Sequence, residues 1–192
     1  MVRHTLRGML LICPPISDIL SINILYYHIM IIRSGTVQDA AAMACIYNHY
    51  VRTSPVIFSC QTLTVDEMKE KIDRLELGAR FPFLVAESEG RIIGYAYSHL
   101  WMPDPVYARS WEVTIYLDKD SCGQGAGSAL LSELVDRCRE AGAHILVSWV
   151  TEGNIACERL HLRTGFTLTG RIPESGWKFG KYWNDCVYQL IL

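Results

Sequence analysis

The residues best suited to chemistry are Glu112, on a strand-like segment, and a glycine-rich loop that follows this segment. Residues 109–117 alternate in polarity and are rich in β-formers, so they are predicted to form a strand. The loop carries Gly123, Gly125 and Gly127 at alternate positions, directly before a helix-like pattern. Such glycines let the backbone approach a ligand closely, and a helix N-terminus attracts anions. The junction therefore predicts a phosphate or pyrophosphate site.

Spacing separates this loop from two common phosphate-binding loops. A P-loop requires Gly-Lys-Ser/Thr, whereas Gly127 is followed by Ser128 and Ala129. The dinucleotide fingerprint G-x-G-x-x-G would use Gly123 and Gly125 and then require glycine where Ser128 stands. The preceding strand also follows a hairpin rather than opening a βαβ unit, which disfavours a Rossmann fold. A flexible surface turn is the remaining alternative.

The elements that would position these residues alternate between strand-like and helix-like patterns from Met30 onwards. Capping boxes at 36–39 and 64–67 mark the starts of two helices, and Glu89-Gly90 marks a hairpin turn. Strands are predicted at 30–33, 83–88, 91–99, 109–117, 145–150, 166–172 and 185–192, and helices at 36–52, 64–78, 127–141 and 155–163. This order predicts a mixed α/β sheet with helices on both faces.

Composition favours one ordinary domain in a reducing compartment. The 192 residues are 50% hydrophobic and 20% charged, with a net charge of -2, so nucleic-acid binding by bulk charge is not expected. The seven cysteines are odd in number and contain no C-x-x-C pair, which fits neither a disulfide framework nor a zinc site. We expect a cytoplasmic protein without a metal.

Residues 1–29 are predicted to be an N-terminal extension to a domain that spans residues 30–192. Two apolar stretches occur there, but Pro14 and Pro15 end the first, and Asn23 and His28 interrupt the second. Neither reaches the ~18 apolar residues of a membrane span, and a signal-peptide cleavage site is missing. The alternative is a helix that packs on the domain or on a partner chain.

The segment Gly123-Gln124-Gly125-Ala126-Gly127 resembles the acetyl-CoA loop of the GNAT superfamily of N-acetyltransferases, whose usual form is Q/R-x-x-G-x-G/A. The resemblance covers residues 30–192. Within the superfamily, the chain is most similar to phosphinothricin and methionine-sulfone N-acetyltransferases, through residues 111–117, 153–154 with 160–166, and 176–183. It implies the GNAT fold, which has a central, mostly antiparallel twisted sheet with helices on both faces, and acetyl-CoA as the acetyl donor.

The resemblance also implies a set of cofactor-binding residues. They are Ile115, Tyr116, Leu117, Cys122, Gly123, Gln124, Gly125, Ala126, Gly127 and Asn154. Cys122 departs from the family pattern, which has Gln or Arg there, and Cys157 replaces a common Ser. Backbone amides bind most of the pyrophosphate, so we expect the first change to weaken the site without abolishing it. Asn154 can also cap the helix that follows it.

The catalytic roles implied are those of direct acetyl transfer. Glu112 would accept the proton of the attacking amine, its alternative being an ordinary outward-facing glutamate. A backbone N–H of residues 115–117 would stabilise the oxyanion. His161 would protonate the leaving thiolate, or it simply packs between Leu160 and Leu162. A nucleophilic Cys122 is disfavoured because no histidine is near it in sequence.

The acceptor is expected to be the primary amine of a small amino-acid-like molecule, of the phosphinothricin, methionine sulfone or sulfoximine type. Its pocket is predicted to include the following residues: Phe58, Trp101, Trp111, Glu112, Val113 and Lys178. Trp183 is assigned to core or dimer packing, and residues 59–62 replace a more acidic stretch of the family. The alternatives are an acetyltransferase of protein N-termini or lysines, and a non-catalytic CoA-binding sensor. A homodimer that contacts neither nucleic acid nor membrane is expected.

Removal of residues 1–29 is predicted to leave catalysis intact, because the chemistry-bearing residues all lie downstream of Met30. A chain that begins at Met30 should match the full-length protein in thermal midpoint and in thiol release from acetyl-CoA. Loss of soluble, active protein would show instead that the extension packs on the domain.

Overall fold

The computed structural model describes residues 30–192, so the predicted extension 1–29 lies outside the described residues. Seven strands and four α-helices make up this part of the chain. In chain order they are β1 (Met30–Ser34), α1 (Ala40–Thr53), α2 (Val65–Arg74), β2 (Phe83–Ser88), β3 (Arg91–Leu100), β4 (Ser110–Leu117), α3 (Ala126–Glu140), β5 (Ile145–Thr151), α4 (Ile155–Arg163), β6 (Thr167–Lys178) and β7 (Lys181–Ile191).

The seven strands form one sheet in the order β1-β2-β3-β4-β5-β7-β6. Every neighbouring pair is antiparallel except β4 and β5, which run parallel. A parallel neighbour requires a crossover, and α3 supplies it. The turn between β2 and β3 has positive φ at both Glu89 and Gly90, 52° and 72°, as the twist of a two-residue hairpin requires. The predicted mixed sheet is therefore confirmed.

Helices cover both faces of the sheet, as predicted, because the strand residues alternate in direction. On β4, Trp111 and Val113 point into a cluster with the buried leucines of α3, while α4 packs at its edge. On β3, Tyr95 and Tyr97 point into a second cluster with α1 and α2. Glu112 has the opposite direction to its neighbours on β4, so its side chain lies on the α1–α2 face.

The parallel pairing of β4 and β5 is short. It joins Ser110 to Ile145, Trp111 to Leu146 and Glu112 to Val147, and extends no further. Beyond Glu112, the remainder of β4 and the remainder of β5 no longer pair with each other. The backbone N–H and C=O groups on the facing edges of these two segments therefore need hydrogen-bond partners other than the opposite strand.

Several boundaries differ from those predicted. The first helix begins with a 3₁₀ turn at Val37–Asp39, and α2 ends at Arg74, before Gly78. β6 and β7 form a longer hairpin than predicted, because a register shift between Ile172 and Gly176 carries the pairing through a polar stretch. The apolar run of β5 is typical of a strand that is buried on both faces, but Trp149 is 40% exposed. No helix within residues 30–192 has the length and apolar character needed to cross a membrane.

Candidate active site

A cleft of about 770 Å³ opens where β4 and β5 separate. It is bordered by the backbone of 113–117 on one side and of 148–151 on the other, with the glycine loop at one end. These β4 backbone groups have no β5 partner, and buried peptide groups require hydrogen bonds. The cleft therefore suits a ligand that carries amide groups of its own and ends in a phosphate.

Most residues expected at the site border this cleft. The cofactor-binding residues that do so are Ile115, Tyr116, Leu117, Cys122, Gly123, Gly125, Gly127 and Asn154. Glu112, His161, Phe58 and Val113 border it as well. The structure thus gathers residues from β4, α3, α4 and the loops that connect the elements, although sequence separations reach more than a hundred positions.

The glycine loop presents unpaired backbone donors at the start of α3. Gly123 and Gly125 both have positive φ, 78° and 89°, and a Cβ on either would meet nothing within 4 Å. Gly125 is the N-cap of α3 and has no side chain to satisfy the first N–H groups. Positive φ is costly for other residues, so these glycines are required for the backbone path and not for space. Free N–H groups and the helix dipole together suit a pyrophosphate.

Two predicted residues of the loop face away from the cleft. Gln124 turns its side chain back, and its Nε2 donates to Asp120 O at 3.2 Å. Ala126 is 3% exposed in the core beneath the helix start. Cys122 stays exposed at the cleft, where its sulfur lies 3.5 Å from Asp118 O and 4.0 Å from Tyr50 Oη. These contacts supply no base that would activate a nucleophilic thiol.

Glu112 lies at the last β4–β5 pair, three-quarters buried. Its Oε1 is 3.8 Å from Nε2 of His99, the residue opposite it on β3. The Nδ1–H of His99 donates to Leu100 O at 2.8 Å, so Nε2 faces the carboxylate. Burial raises the pKa of Glu112, while the charge of His99, the nearby Trp149 indole and the charge of Lys71 lower it in part. The carboxyl is thus a stronger base than a free glutamate.

His161 is almost fully buried between Phe166 and Tyr188, at ring distances of 5.0 and 5.7 Å. Its Nδ1 is 2.8 Å from Cys157 O, and because a carbonyl only accepts, Nδ1 carries the proton. Nε2 is buried without a partner among the described residues. Burial lowers the pKa of the ring, which favours the neutral form. Nε2 then holds a lone pair. This atom is better suited to accept a proton than to donate one to the leaving thiolate, the role expected from the sequence.

Three residues expected in the acceptor pocket do not border the cleft. Trp111 is 6% exposed, packs edge-on against Phe81 and donates from its indole to Ala108 O. Trp101 packs against Tyr107 at 5.4 Å on the β3–β4 connection. Lys178 is buried, and its ammonium is held by backbone carbonyls.

The contacts of Lys178 position the wall that carries Phe58. Its Nζ donates to Ser54 O at 2.9 Å and to Ile57 O at 2.7 Å. The Phe58 ring packs so closely on Gly176 that a Cβ there would lie 2.5 Å from it. Trp183, assigned to core or dimer packing, donates from Nε1 to Lys178 O at 2.9 Å. Through these hydrogen bonds, the Lys178 ammonium links residues 54–58, which form one wall of the cleft, to the β6–β7 hairpin.

Among the side chains at the cleft that the sequence did not indicate are two aromatic residues. Trp149 sits beside Glu112, but in the sequence it belongs to an apolar run that indicated a buried strand. Tyr50 continues the apolar face of α1 that Ile46 and Tyr47 form, yet its hydroxyl donates to Leu117 O at 2.8 Å, at the mouth of the glycine loop. A tyrosine at the end of an apolar helix face could have indicated this contact, because its hydroxyl requires a polar partner.

Comparison with known proteins agrees with this geometry. A model of the acetyltransferase (GNAT) family matches residues 43–166. The L-amino acid N-acyltransferase MnaT of Escherichia coli is 35% identical over 162 residues, which are 84% of this chain and 93% of that protein. A methionine sulfoximine/methionine sulfone acetyltransferase of Salmonella typhimurium is 34% identical over 162 residues, 84% and 94% of the two chains.

Among solved structures, a phosphinothricin acetyltransferase of Sinorhizobium meliloti in complex with acetyl-CoA superposes with a TM-score of 0.81 at 29% identity. The match covers 85% of this chain and 88% of that one. The resemblance seen in the sequence motifs is confirmed, and with it the fold.

Replacing Gly125 with valine is predicted to raise the KM for acetyl-CoA about 10-fold or more, because a left-handed φ costs a β-branched residue roughly 1–3 kcal/mol and the loop must move. Gly142 is a matched control: it lies at the other end of α3, with a φ of 94° and an open Cβ position. Gly142→Val should lower the thermal midpoint similarly and leave the KM unchanged. An equal KM for both variants would contradict the placement of the cofactor.

Proposed function

We infer that this chain, which belongs to the acetyltransferase (GNAT) family, transfers the acetyl group of acetyl-CoA to the primary amine of a small amino-acid-like acceptor. The observation that carries the proposal is the position of Glu112. Its largely buried carboxylate lies where β4 stops pairing with β5, and from there the unpaired edge of β4 leads to the glycine loop. The names of two relatives, an L-amino acid N-acyltransferase and a methionine sulfone acetyltransferase, support the acceptor class.

Glu112 is proposed to remove the proton of the acceptor ammonium, directly or through a water molecule. An α-amine is mostly protonated at neutral pH and cannot attack until that proton leaves. The raised pKa of Glu112 brings the proton affinity of the carboxylate closer to that of the amine. The Nε2 of the neighbouring His99 faces this carboxylate at 3.8 Å and helps to fix its position.

The remaining steps are proposed to depend on backbone groups of β4 and the glycine loop. The unpaired stretch 113–117 would align the pantetheine arm and donate an N–H to the acetyl oxygen as negative charge develops there. The loop Cys122–Gly127 would hold the pyrophosphate, and Asn154, whose Oδ1 already caps α4, would meet a pantetheine amide. The residues present therefore fit acetyl-CoA.

His161 is proposed to act as a neutral hydrogen-bond acceptor at the cleft and not as the donor of a proton to the thiolate. Donation would require the imidazolium, which burial disfavours. A thiolate leaves without enzymatic help more readily than an alkoxide or an amide, since an unperturbed thiol has a pKa of about 8.5.

A homodimer is proposed from the exposed apolar end of the β6–β7 hairpin. Trp177, Phe179 and Tyr182 are each more than half exposed there, and Trp177 packs on Tyr182 at 4.7 Å. Exposed aromatic clusters of this kind usually mark contact surfaces.

Light scattering should give twice the chain mass of 21.8 kDa, and Trp177→Lys should shift the protein towards the monomer. A monomer for the unaltered protein would refute the dimer without touching the chemistry. Dimer formation that persists in Trp177→Lys would move the interface elsewhere on the surface.

Glu112→Gln is predicted to lower kcat about 10²- to 10⁴-fold while the KM for acetyl-CoA stays constant, since general-base catalysis contributes that much. The change keeps size and hydrogen bonding but removes the base. In the unaltered enzyme, kcat/KM should rise with pH as Glu112 loses its proton. Because burial raises the pKa of Glu112, this limb should lie above the value of about 4.3 for a free glutamate.

A matched control is Glu133→Gln, a glutamate on the outer surface of α3 that pairs with Arg137. It should leave kcat and the pH profile unchanged. Near-normal kcat in Glu112→Gln, with the acidic limb retained, would assign the base to another group, and His161 would be the first to test.

A further inference from the structure

Trp149 of β5 presents its indole ring to the cleft, beside the proposed base. Glu112 pairs with Val147 in the parallel register, and Trp149 lies two residues further along β5, on the same face as Val147. Glu112 and Trp149 therefore share one face of the sheet, and both border the cleft. The residues on either side of Trp149 in the strand are buried, whereas Trp149 is 40% exposed. A large apolar surface is thus left open where the proton would be transferred.

Phe58 borders the same cleft from residues 54–58, which follow α1. The hydrogen bonds described above hold this segment to the β6–β7 hairpin, and Thr151 Oγ1 donates to Pro55 O at 3.2 Å. Because Thr151 follows Trp149 on the same face of β5, the segment lies next to the indole. We call the part of the cleft that these two rings border the aromatic slot. Both rings are carried by fixed elements, so the slot is largely formed before a ligand binds.

A carboxylate without a cationic partner, that of Asp185 on β7, borders the cleft next to the aromatic slot. Asp185 is directly opposite Thr151, and cross-strand neighbours share a face of the sheet. Its Oδ2 accepts a hydrogen bond from Ser175 Oγ at 3.3 Å, and within residues 30–192 no cationic nitrogen lies within 4.0 Å of it. The described cations that border the cleft both belong to α4: Arg159 and Arg163. An anionic side chain in the slot would therefore meet a like charge.

We propose that the aromatic slot binds an uncharged aromatic side chain of the acceptor while Glu112 takes the proton from its amine. This inference rests on the proposed function and narrows it to acceptors that carry an aromatic ring. A ring that enters the slot removes the exposed indole surface from water and packs against it. Asp185 disfavours acceptors with an anionic side chain, such as phosphinothricin with its phosphinate. Trp149 is then the residue that sets specificity, and not Lys178, the cation expected from the sequence.

The test compares kcat/KM for three acceptors: L-phenylalanine, L-methionine sulfone and phosphinothricin. The unaltered enzyme should prefer L-phenylalanine and be slowest with phosphinothricin. Trp149→Ala should lower the value for L-phenylalanine about 10- to 100-fold, because the bound ring loses its aromatic partner and the buried apolar area, and it should lower that for L-methionine sulfone much less. The ratio of these two values is the readout, because any effect of Trp149 on the basicity of Glu112 acts on both acceptors alike.

The charge of Asp185 is tested separately with Asp185→Asn, which keeps the size of the side chain. This change should raise kcat/KM for phosphinothricin about 5-fold relative to that for L-phenylalanine, because the like charge is removed. Asp136→Asn is its matched control, since Asp136 lies on α3 and pairs with Arg139. It should leave the ratio unchanged.

Trp149→Phe keeps a ring in the slot and should retain most of the preference, and Trp101→Ala, which alters a tryptophan outside the cleft, should preserve the order of the acceptors. The thermal midpoint and the KM for acetyl-CoA of Trp149→Ala show that the variant is folded. An unaltered enzyme that prefers phosphinothricin, or an equal loss or no loss with all acceptors in Trp149→Ala, would overturn the aromatic slot while leaving acetyl transfer established. An unaltered enzyme that acetylates none of the three amines would refute the proposed function itself.

Discussion

The short parallel pairing between β4 and β5 is the constraint on which the rest of the site depends. Three residue pairs join the strands, and then they separate. Every peptide group beyond that point still needs a hydrogen-bond partner. A strand edge with unused donors and acceptors would be a liability in an ordinary sheet, but here it borders the cleft that leads to the glycine loop. The backbone groups of β4 that do not pair with β5 are thereby available to a pantetheine-like chain.

The two faces of the sheet contribute different groups to the site. On one face, α3 brings the glycine loop and its helix dipole to one end of the cleft, and α4 borders it with His161. On the other face, α1 and α2 surround Glu112 with tyrosines and one lysine. Because strand residues alternate, Glu112 lies on the second face while its backbone belongs to the last pair before the split. The proposed base is therefore beside the point where the acetyl donor and the acceptor amine would meet.

Local patterns sufficed to predict the order of elements and the glycine junction. Capping boxes, hairpin turns and alternation are encoded in consecutive residues, and the alternating glycines mark a backbone path that has positive φ at Gly123 and Gly125. Fewer of the residues expected at the acceptor pocket border the cleft, because their placement depends on tertiary register. Alternation could have separated Trp111 from Glu112, since neighbours on a strand point to opposite faces. The contact of Lys178 with Ser54 spans 124 positions, and no local pattern indicates it.

The claim that the amine attacks the thioester directly, without an acetylated enzyme, is tested most directly by the initial-velocity pattern. Rates would be measured over a grid of acetyl-CoA and L-methionine sulfone concentrations. Double-reciprocal lines that intersect would show that both substrates must be bound together, as we expect from a cleft that joins the glycine loop to Glu112. Parallel lines would show that CoA leaves before the acceptor binds, and would require an acetylated residue, with Cys122 the first candidate.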